Sequence, residues 1–267
     1  MNNYRFLVAS DMDYTLLMPG QPVSVANKRA IDAITAAGGC VTLATGRSFY
    51  ITGSYARDLG IKIPLITSNG AAISDPVGFR DIESVDFPSD ILEVLIPLFI
   101  SNHVNATGYS SSGLYFFPES SRRQFIDDYN SGVSSDIKCV ILPDHNVSFN
   151  KFLLIDPPAS VVSVINQIPC LQVVSSAKNF YDVMMTGTSK GLALKKIAAS
   201  LGIPDGMVFA LGDSENDISL LEAADHAVAM AGSDPRVLDA AEYVTSDCES
   251  DGFALAVQDF ILPLVSR

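Results

Sequence analysis

The chain has 267 residues, and 48% of them are hydrophobic against 18% charged, a composition that excludes a disordered or low-complexity protein. Asp and Glu total 30 and Lys and Arg 17, so the net charge of −13 argues against binding to nucleic acid or to an anionic membrane. The four cysteines form no CxxC pair, which argues against a zinc knuckle and a disulfide framework. We recognise no signal peptide and no apolar run of about 18 residues, and therefore expect a cytoplasmic protein.

Short apolar runs alternate with helical patterns near both ends of the chain, which predicts a parallel α/β sheet. The first run, residues 6–9, is typical of a strand that is buried on both faces. Ser24 is a typical N-cap for the helix that follows, and Gly38 is a typical residue to end it. Further strands are predicted at 40–44, 64–67, 208–211 and 226–230, with helices ending at Leu59, running from Ser189 to Leu201 and spanning 217–224.

The middle of the chain has a different pattern, because its apolar runs come in close pairs. The predicted pairs are 138–142 with 152–155 and 171–176 with 181–185, with a helical run at 159–168 between them. Strands joined by short connections favour an antiparallel sheet with helices on one face. We therefore predict a discontinuous α/β core, residues 1–82 and 185–267, and an α+β domain, residues 83–184, inserted into it.

Two carboxylates, Asp11 and Asp13, follow the first predicted strand directly in the run Asp11-Met12-Asp13-Tyr14-Thr15. Side chains two residues apart in an extended chain point the same way. Two carboxylates held close repel each other, so one tends to keep a proton while the other stays ionised. The pair suits a nucleophile with a general acid/base, or a hard-metal site. An Asp-rich turn capped by Thr15 is the alternative.

The run Thr45-Gly46-Arg47-Ser48 follows the second predicted strand and opens a helix. A hydroxyl and free backbone N–H groups at a helix N-terminus form a phosphate site, and an ordinary helix cap is the alternative. Ser189-Lys190-Gly191 also opens a helix. A lysine at that end gains nothing from the helix dipole, so the position favours a bound anion unless Lys190 is merely solvated.

The acidic run Gly212-Asp213-Ser214-Glu215-Asn216-Asp217 connects a strand to a helix. Asp213, Asn216 and Asp217 could bind Mg²⁺ or support its ligands, because carboxylate and amide oxygens are ligands for that ion. Simple N-capping by Asp213 or Ser214 is the alternative. All four constellations follow predicted strands at their carboxyl ends, where open α/β sheets bind ligands.

In this order, the four motifs resemble those of the haloacid dehalogenase superfamily, and more closely the Cof-type sugar-phosphate phosphatases. The run Thr67-Ser68-Asn69-Gly70-Ala71 adds to the resemblance, which covers nearly the whole chain and is weakest in its middle. The sequence departs from the family at Tyr14, where Gly is usual. It departs again at Ala231-Gly232-Ser233, where relatives usually have an Asn-Ala pair.

The resemblance implies a Rossmann-like parallel-sheet core with an inserted α+β cap, and a Mg²⁺-dependent phosphatase acting on small phosphate esters. It implies that Asp11 is a nucleophile forming an aspartyl-phosphate, that Asp13 is the general acid/base and that Lys190 neutralises charge. Phosphate or substrate contacts are expected from Met12, Thr45, Gly46, Asn69, Lys190 and Asn216. Mg²⁺ ligands are expected from Asp11, the Asp13 carbonyl and Asp213, with Asp217 behind them.

The inserted domain would close over the site and contact the leaving group. The candidates are Tyr109, Tyr115, Phe116 and His145, with Arg122 and Arg123 for a second anion, although each is also typical of cap core or of an exposed surface. Arg47 would support the phosphate turn or bridge to a helix acid.

Three other functions share features with this sequence. A phosphomutase can use the same core, and a catalytically silent sensor of phosphorylated metabolites would lack one of the paired carboxylates, both of which are present. A receiver domain also has acids with Thr and Lys, but here Asp213 follows Lys190, an order that disfavours it. The sequence leaves open whether the protein is a monomer or a homodimer.

Overall fold

The computed structural model describes residues 4–117, 139–140, 147–177 and 179–266. The strands are, in chain order, β1 (Leu7–Ser10), β2 (Cys40–Leu43), β3 (Leu65–Thr67), β4 (Ala72–Asp75), β5 (Arg80–Ser84), β6 (Asn105–Ser110), β7 (Gly113–Phe117), β8 (Cys139–Val140), β9 (Lys151–Ile155), β10 (Leu171–Ala177), β11 (Phe180–Met185), β12 (Val208–Gly212), β13 (His226–Ala229) and β14 (Tyr243–Val244).

The helices are α1 (Val25–Ala36), α2 (Phe49–Asp58), α3 (Ser89–Ser101), α4 (Ala159–Ile165), α5 (Lys190–Leu201), α6 (Ile218–Ala223), α7 (Pro235–Asp239), α8 (Gly252–Ala256) and α9 (Leu262–Val265). Short 3₁₀ turns lie at Ser68–Gly70, Glu215–Asp217 and Cys248–Ser250, and a π-helical turn at Val257–Ile261. Within the described ranges, no helix has the length and apolar character needed to cross a bilayer.

The predicted parallel sheet is confirmed. Its strand order is β14-β13-β12-β1-β2, and every neighbouring pair is parallel. All four residues of β1 and all four of β2 are buried, as expected for strands covered on both faces. In register, Ser10 lies beside Leu43 on one side and Leu211 on the other, so the loops after β1, β2 and β12 emerge at one edge.

Local signals set the ends of the core helices. The Ser24 hydroxyl accepts a hydrogen bond from the Asn27 amide at 3.0 Å, which satisfies one of the free N–H groups of the first turn of α1. Ser189 caps α5 in the same way. Gly60 follows α2 with a φ of +67°, a conformation that glycine adopts without steric cost. The helix predicted at 217–224 is α6, preceded by the turn Glu215–Asp217.

A six-stranded sheet lies between the two parts of the core, in the order β10-β11-β9-β6-β7-β8. The predicted hairpin of β10 and β11 is confirmed, with Leu171 opposite Met185. The predicted pairing of 138–142 with 152–155 is wrong: β8 lies parallel to β7, and β9 lies between β11 and β6. The hairpin β6–β7 was not predicted from the sequence, and its strand β6 pairs with β9. Nearness along the chain therefore does not determine which strands of this sheet are neighbours.

The two faces of the six-stranded sheet have different neighbours. On one face, Phe152 and Leu154 pack against α3 and α4 through Phe99 and Val161, so the predicted helices on one face are confirmed. On the other face, residues including Tyr109, Leu114, Phe116, Leu153 and Ile155 form a cluster with Ile51 of α2. This second face is therefore turned toward the parallel-sheet core, and side chains that alternate with Phe152 along β9 point toward the core.

A small antiparallel sheet, β3-β4-β5, connects the parallel sheet to the inserted one. The predicted strand at 64–67 corresponds to β3, which extends the parallel sheet only through a single bridge between Ala44 and Ile66. The turn Ser68–Gly70, which follows β3, lies beside Thr45. The Asn69 amide donates a hydrogen bond to the Thr45 carbonyl at 3.0 Å. We propose that the chain divides into core and cap near residues 82 and 184.

Candidate active site

Lys190 connects two carboxylates that are distant in sequence. Its Nζ lies 2.7 Å from Asp11 Oδ1 and 2.6 Å from Asp217 Oδ1, and the lysine side chain is fully buried. Burial alone would lower the pKa of Lys190, but the charges of Asp11 and Asp217 outweigh it and raise the pKa above its ordinary value. The ammonium is therefore held charged behind the carboxylate of Asp11.

Asp11, Asp213 and Asp217 form an acidic cluster whose carboxylate oxygens lie within 4.8 Å of one another. Burial and the charge of Asp217 raise the pKa of Asp11 well above its usual range and that of Asp213 to about 7. Such shifts mean that the site favours added positive charge, either a proton or a cation. Carboxylate oxygens are hard donors of the kind that Mg²⁺ binds.

The two oxygens of Asp217 already have protein partners. One accepts from Lys190, and the other accepts from the amides of Asp213 and Ser214, both at 3.1 Å. Thr15 donates to Asp213 Oδ1 at 3.1 Å, so the carboxylate of Asp213 is oriented from the β1 side. Asp217 therefore positions the loop after β12, because both of its oxygens are used in hydrogen bonds within the protein. Asp11 and Asp213 each have a carboxylate oxygen that faces the cluster.

Asp13 is held by Arg47 through two hydrogen bonds, from Nε to Oδ2 at 2.8 Å and from Nη2 to Oδ1 at 2.5 Å. The partner acid of Arg47 is therefore Asp13 itself, and not a helix acid. Thr45 and Gly46 form the turn before Arg47, whose amide donates to Thr45 Oγ1 at 3.1 Å. A Cβ on Gly46 would lie 3.0 Å from Asn69 Oδ1, so the close approach favours glycine.

Asn69 lies in the left-handed region, with a φ of +56°, at the tip of β3. Its Oδ1 accepts from Asn216 Nδ2 at 3.2 Å, and its Nδ2 donates to Asp182 Oδ2 at 2.8 Å. Met12 is buried, and its carbonyl accepts from the amides of Leu16 and Leu17. The bonds of Asn69 connect the loop after β3 to the loop after β12 and to β11, whereas those of Met12 lie within the loop after β1.

A cavity of about 420 Å³ lies between this edge of the parallel sheet and the second face of the six-stranded sheet. Of the predicted site residues, Asp11, Asp13, Thr45, Gly46, Asp213 and Asn216 line it. Asn69, Lys190 and Asp217 are bonded to lining residues, and Met12 lies between two of them in the chain. The structure therefore brings the predicted residues together in one place.

Two residues of the cavity wall were missed by the sequence reading. Lys151 Nζ lies 2.5 Å from Asp182 Oδ1, and both side chains are almost completely buried. Lys151 also donates to the Gly46 carbonyl at 2.7 Å. The available signal was a charged residue at a core-facing position of a strand that is otherwise apolar.

Of the proposed cap contacts, Tyr109 lines the cavity, with its ring centroid 4.2 Å from Lys151 Nζ, and Phe116 packs on the same face. Tyr115 lies on the opposite face, in the cap core, with its hydroxyl 2.9 Å from the Ser112 hydroxyl, and therefore does not reach the site. His145, Arg122 and Arg123 lie outside the described residues.

The departure at Tyr14 has a backbone explanation. Tyr14 has a φ of +61°, a region that glycine reaches freely and a tyrosine reaches only at a cost of about 1–2 kcal/mol. Gly is therefore the residue that this turn favours, and Tyr14 keeps the same turn while its half-exposed ring lines the mouth of the cavity.

Comparisons with known proteins agree with this architecture. A family model described as haloacid dehalogenase-like hydrolase matches residues 8–257. Phosphatase YwpJ of Bacillus subtilis (strain 168) is 29% identical over 279 residues, covering 93% of this chain and 97% of the relative. From the same organism, 5-amino-6-(5-phospho-D-ribitylamino)uracil phosphatase YcsE is 27% identical, covering 96% of each chain. A solved haloacid dehalogenase-like hydrolase from B. subtilis superposes with a TM-score of 0.81 at 26% identity, covering 95% of this chain and 99% of the other.

Proposed function

Since this chain belongs to the haloacid dehalogenase-like hydrolase family, we propose that it is a Mg²⁺-dependent phosphatase that hydrolyses small phosphorylated metabolites, with sugar phosphates as the expected substrates. The observation that carries the proposal is the 2.7 Å contact between Lys190 Nζ and Asp11 Oδ1. It joins a cation to a carboxylate at the edge of the sheet, beside a second carboxylate, Asp13, that faces the same cavity.

In the first step, an oxygen of the Asp11 carboxylate attacks phosphorus, and the bond between phosphorus and the leaving oxygen breaks. Asp13 donates a proton to that oxygen, so the leaving group departs as a neutral alcohol. Positioned proton transfer of this kind contributes on the order of 10²–10⁴ in rate. The bidentate contact with Arg47 fixes the orientation of the Asp13 carboxylate, which proton transfer in either step requires.

In the second step, water attacks the aspartyl-phosphate and Asp13 takes the proton of the water. The bond between phosphorus and Asp11 breaks, which regenerates the carboxylate and releases inorganic phosphate. Lys190 remains charged through both steps and stabilises the negative charge that builds up beside Asp11. The amides near Met12 and Gly46, the Thr45 hydroxyl and the Asn216 amide would hold the phosphoryl oxygens, with Asn69 positioning Asn216.

Mg²⁺ would be held by Asp11, Asp213 and the Asp13 carbonyl, with Asp217 behind them. When bound, it supplies positive charge that offsets the repulsion between a phosphate dianion and the carboxylates. The acidic cluster supports this assignment, because burial raises the pKa of Asp213 to about 7 and such a group is stabilised by a cation.

The expected substrates are small because the cavity, of about 420 Å³, is within the usual range of small-molecule sites. YcsE is named for a phosphoester on a ribityl chain, which supports a small organic phosphate in place of a macromolecular one. We also propose a cytoplasmic location, which agrees with the free thiols of Cys40, Cys170 and Cys248.

The test is phosphate release by the purified protein from hexose, pentose, triose and nucleotide monophosphates, with Mg²⁺ or with EDTA. We expect Mg²⁺-dependent release that Asp11→Asn abolishes. Asp58→Asn, which removes an exposed carboxylate from α2, is the matched control and should retain full activity. Near-normal turnover by Asp11→Asn would exclude the nucleophile assignment. Conversion of a sugar phosphate to its isomer without net phosphate release, dependent on a sugar bisphosphate activator, would favour a phosphomutase. No turnover of any substrate by the folded protein would favour a sensor.

A further inference from the structure

We propose that Lys151 and Asp182 are specificity-determining residues that select leaving groups with neutral hydroxyls and reject leaving groups that carry a carboxylate or a second phosphate. This inference rests on the proposed phosphatase function. It concerns the side of the cavity opposite the reacting carboxylates, where the cap sheet faces the core.

The pair is placed to touch the leaving group. Lys151 begins β9 and Asp182 lies in the neighbouring strand β11, and both line the cavity that Asp11 and Asp13 also line. Lys151 Nζ reaches the Gly46 carbonyl at 2.7 Å, so this cation lies beside the turn expected to bind phosphate. A group esterified to a phosphate in that turn extends from it into the same cavity, toward the cap.

The charge of this wall is balanced within the protein. In the described part of the chain, each cation at the cavity has its own carboxylate: Arg47 pairs with Asp13, Lys190 with Asp11 and Asp217, and Lys151 with Asp182. A further anion on the leaving group would be buried next to Asp182 with Lys151 already paired. Burying a charge without its own partner is strongly unfavourable.

A hydroxyl meets the same pair without that penalty. It donates to a carboxylate oxygen and accepts from an ammonium, so one alcohol can be bonded to Asp182 and Lys151 together. The remaining wall suits a carbon skeleton, because Tyr109, Leu153 and Phe180 line the cavity beside the pair. The part of this wall that the structure describes therefore offers hydrogen bonds and an apolar surface, but no unpaired charge.

The test compares two substrates that differ at one carbon. Glucitol 6-phosphate has a CH₂OH group where 6-phosphogluconate has a carboxylate. We expect the wild-type enzyme to prefer the neutral substrate by at least about 10-fold in kcat/KM, which corresponds to about 1.4 kcal/mol. Asp182→Asn should reduce this ratio by about 10-fold, because it leaves the charge of Lys151 available to the carboxylate.

Lys151→Met keeps the apolar stem but removes the cation. It should lower kcat/KM for both substrates and leave the ratio at or above the wild-type value, so the two variants differ in a way that a shared structural defect would not produce. Asp156→Asn is the matched control, because Asp156 is an exposed cap carboxylate at the end of β9. We expect it to keep the wild-type ratio.

The ratio of kcat/KM values does not depend on the fraction of folded enzyme, so partial misfolding does not affect it. A wild-type preference for 6-phosphogluconate, or an unchanged ratio in Asp182→Asn, would overturn the inference. If Asp182→Asn does not fold, a ratio in Lys151→Met below that of the wild type overturns the inference. If Lys151→Met does not fold either, the inference stands or falls with the preference of the wild-type enzyme. Hydrolysis of p-nitrophenyl phosphate distinguishes failure of the proposed function from failure of this inference. No hydrolysis means that the phosphatase proposal fails. Hydrolysis without the predicted ratios means that only this inference fails.

Discussion

The buried guanidinium of Arg47 forms a bidentate salt bridge with the partly exposed carboxylate of Asp13. The two hydrogen bonds are 2.8 and 2.5 Å long, and the side chain of Arg47 is 3% exposed while that of Asp13 is 28% exposed. Arg47 also lies over the ring of Tyr55, with Cζ 5.4 Å from the centroid. A planar cation fixed on both sides holds the carboxylate in one orientation, which a lysine cannot do because it presents a point charge.

Arg47→Lys is therefore expected to impair proton transfer by Asp13 while it keeps the charge. We expect kcat/KM, which covers only the steps up to departure of the leaving group, to fall about 10- to 100-fold on an alkyl phosphate, where the leaving oxygen needs a proton. The loss should be much smaller on p-nitrophenyl phosphate, whose leaving group departs without one. Comparing the two substrates measures this difference, with Arg57→Lys as control, because Arg57 is an exposed arginine of α2, the helix that follows Arg47. Equal losses on both substrates would contradict a positioning role.

Removing the ammonium of Lys190 should affect stability as well as activity. Lys190→Met leaves Asp11 and Asp217 buried without their shared cation, and loss of one partner from a buried ion pair costs about 3–5 kcal/mol. Turnover should fall by at least about 10², as for the loss of one preorganised charge donor. Urea unfolding and phosphate release measure the two effects, and Lys195→Met, on an exposed position of α5, is the control. A variant as stable and as active as wild type would show that Lys190 is not needed at the site.

The acidic cluster should make stability depend on pH and on divalent cations together. Burial and the charge of Asp217 raise the pKa of Asp213 from 3.8 to about 7, so between these values the folded chain holds a proton that the unfolded chain has released. Stability therefore falls as pH rises through that window. In EDTA, the melting temperature should drop between about pH 5 and pH 8, and Asp213→Asn should reduce the drop.

Mg²⁺ should add more to the melting temperature at pH 8 than at pH 5, because at low pH it competes with protons for the same carboxylates. Thermal unfolding followed by fluorescence at both pH values, with and without Mg²⁺, measures this without any substrate. An Mg²⁺ effect that is equal at both values, or as large in Asp213→Asn as in wild type, would argue against Asp213 as a ligand.

The sequence predicted the core of this fold well, because the signals there are local. Strands buried on both faces are short apolar runs, and Ser24 and Ser189 mark helix starts by a single hydrogen bond each. Pairing in the cap was not predictable in the same way. The position of β9 between β11 and β6 depends on which faces become buried, a property of the whole sheet that periodicity does not encode.

In the candidate site, too, the residues of the core could be predicted from the sequence, whereas the charged pair of the cap could not. Asp11, Asp13 and Asp213 follow strands of a parallel sheet, so topology alone brings them to one edge. The contact between Lys151 and Gly46 joins the cap to the core across 105 residues. No motif predicts such a contact, because it depends on how the cap rests on the core. In sequence, Lys151 and Asp182 are single charges within apolar strands.

Gly70 and Gly187 provide a matched test of how the backbone places Lys190. Both have positive φ, +86° and +81°, so alanine at either position carries the cost of the left-handed conformation, about 1–2 kcal/mol. A Cβ at Gly187 would have no atom within 4 Å, whereas one at Gly70 would lie 2.1 Å from the Ser189 carbonyl oxygen and 2.8 Å from the Lys190 amide nitrogen. The contacted atoms are backbone, so relief requires the start of α5 to move.

Gly187→Ala should therefore be modestly destabilised and fully active. Gly70→Ala should lose a further 1–3 kcal/mol or so from overpacking, and its activity should fall more than about 10-fold as Lys190 moves away from Asp11. Urea unfolding and phosphate release on both variants measure the difference. Equal effects of the two substitutions would mean that the turn Ser68–Gly70 does not hold the start of α5, and that Lys190 is positioned by its ion pairs alone.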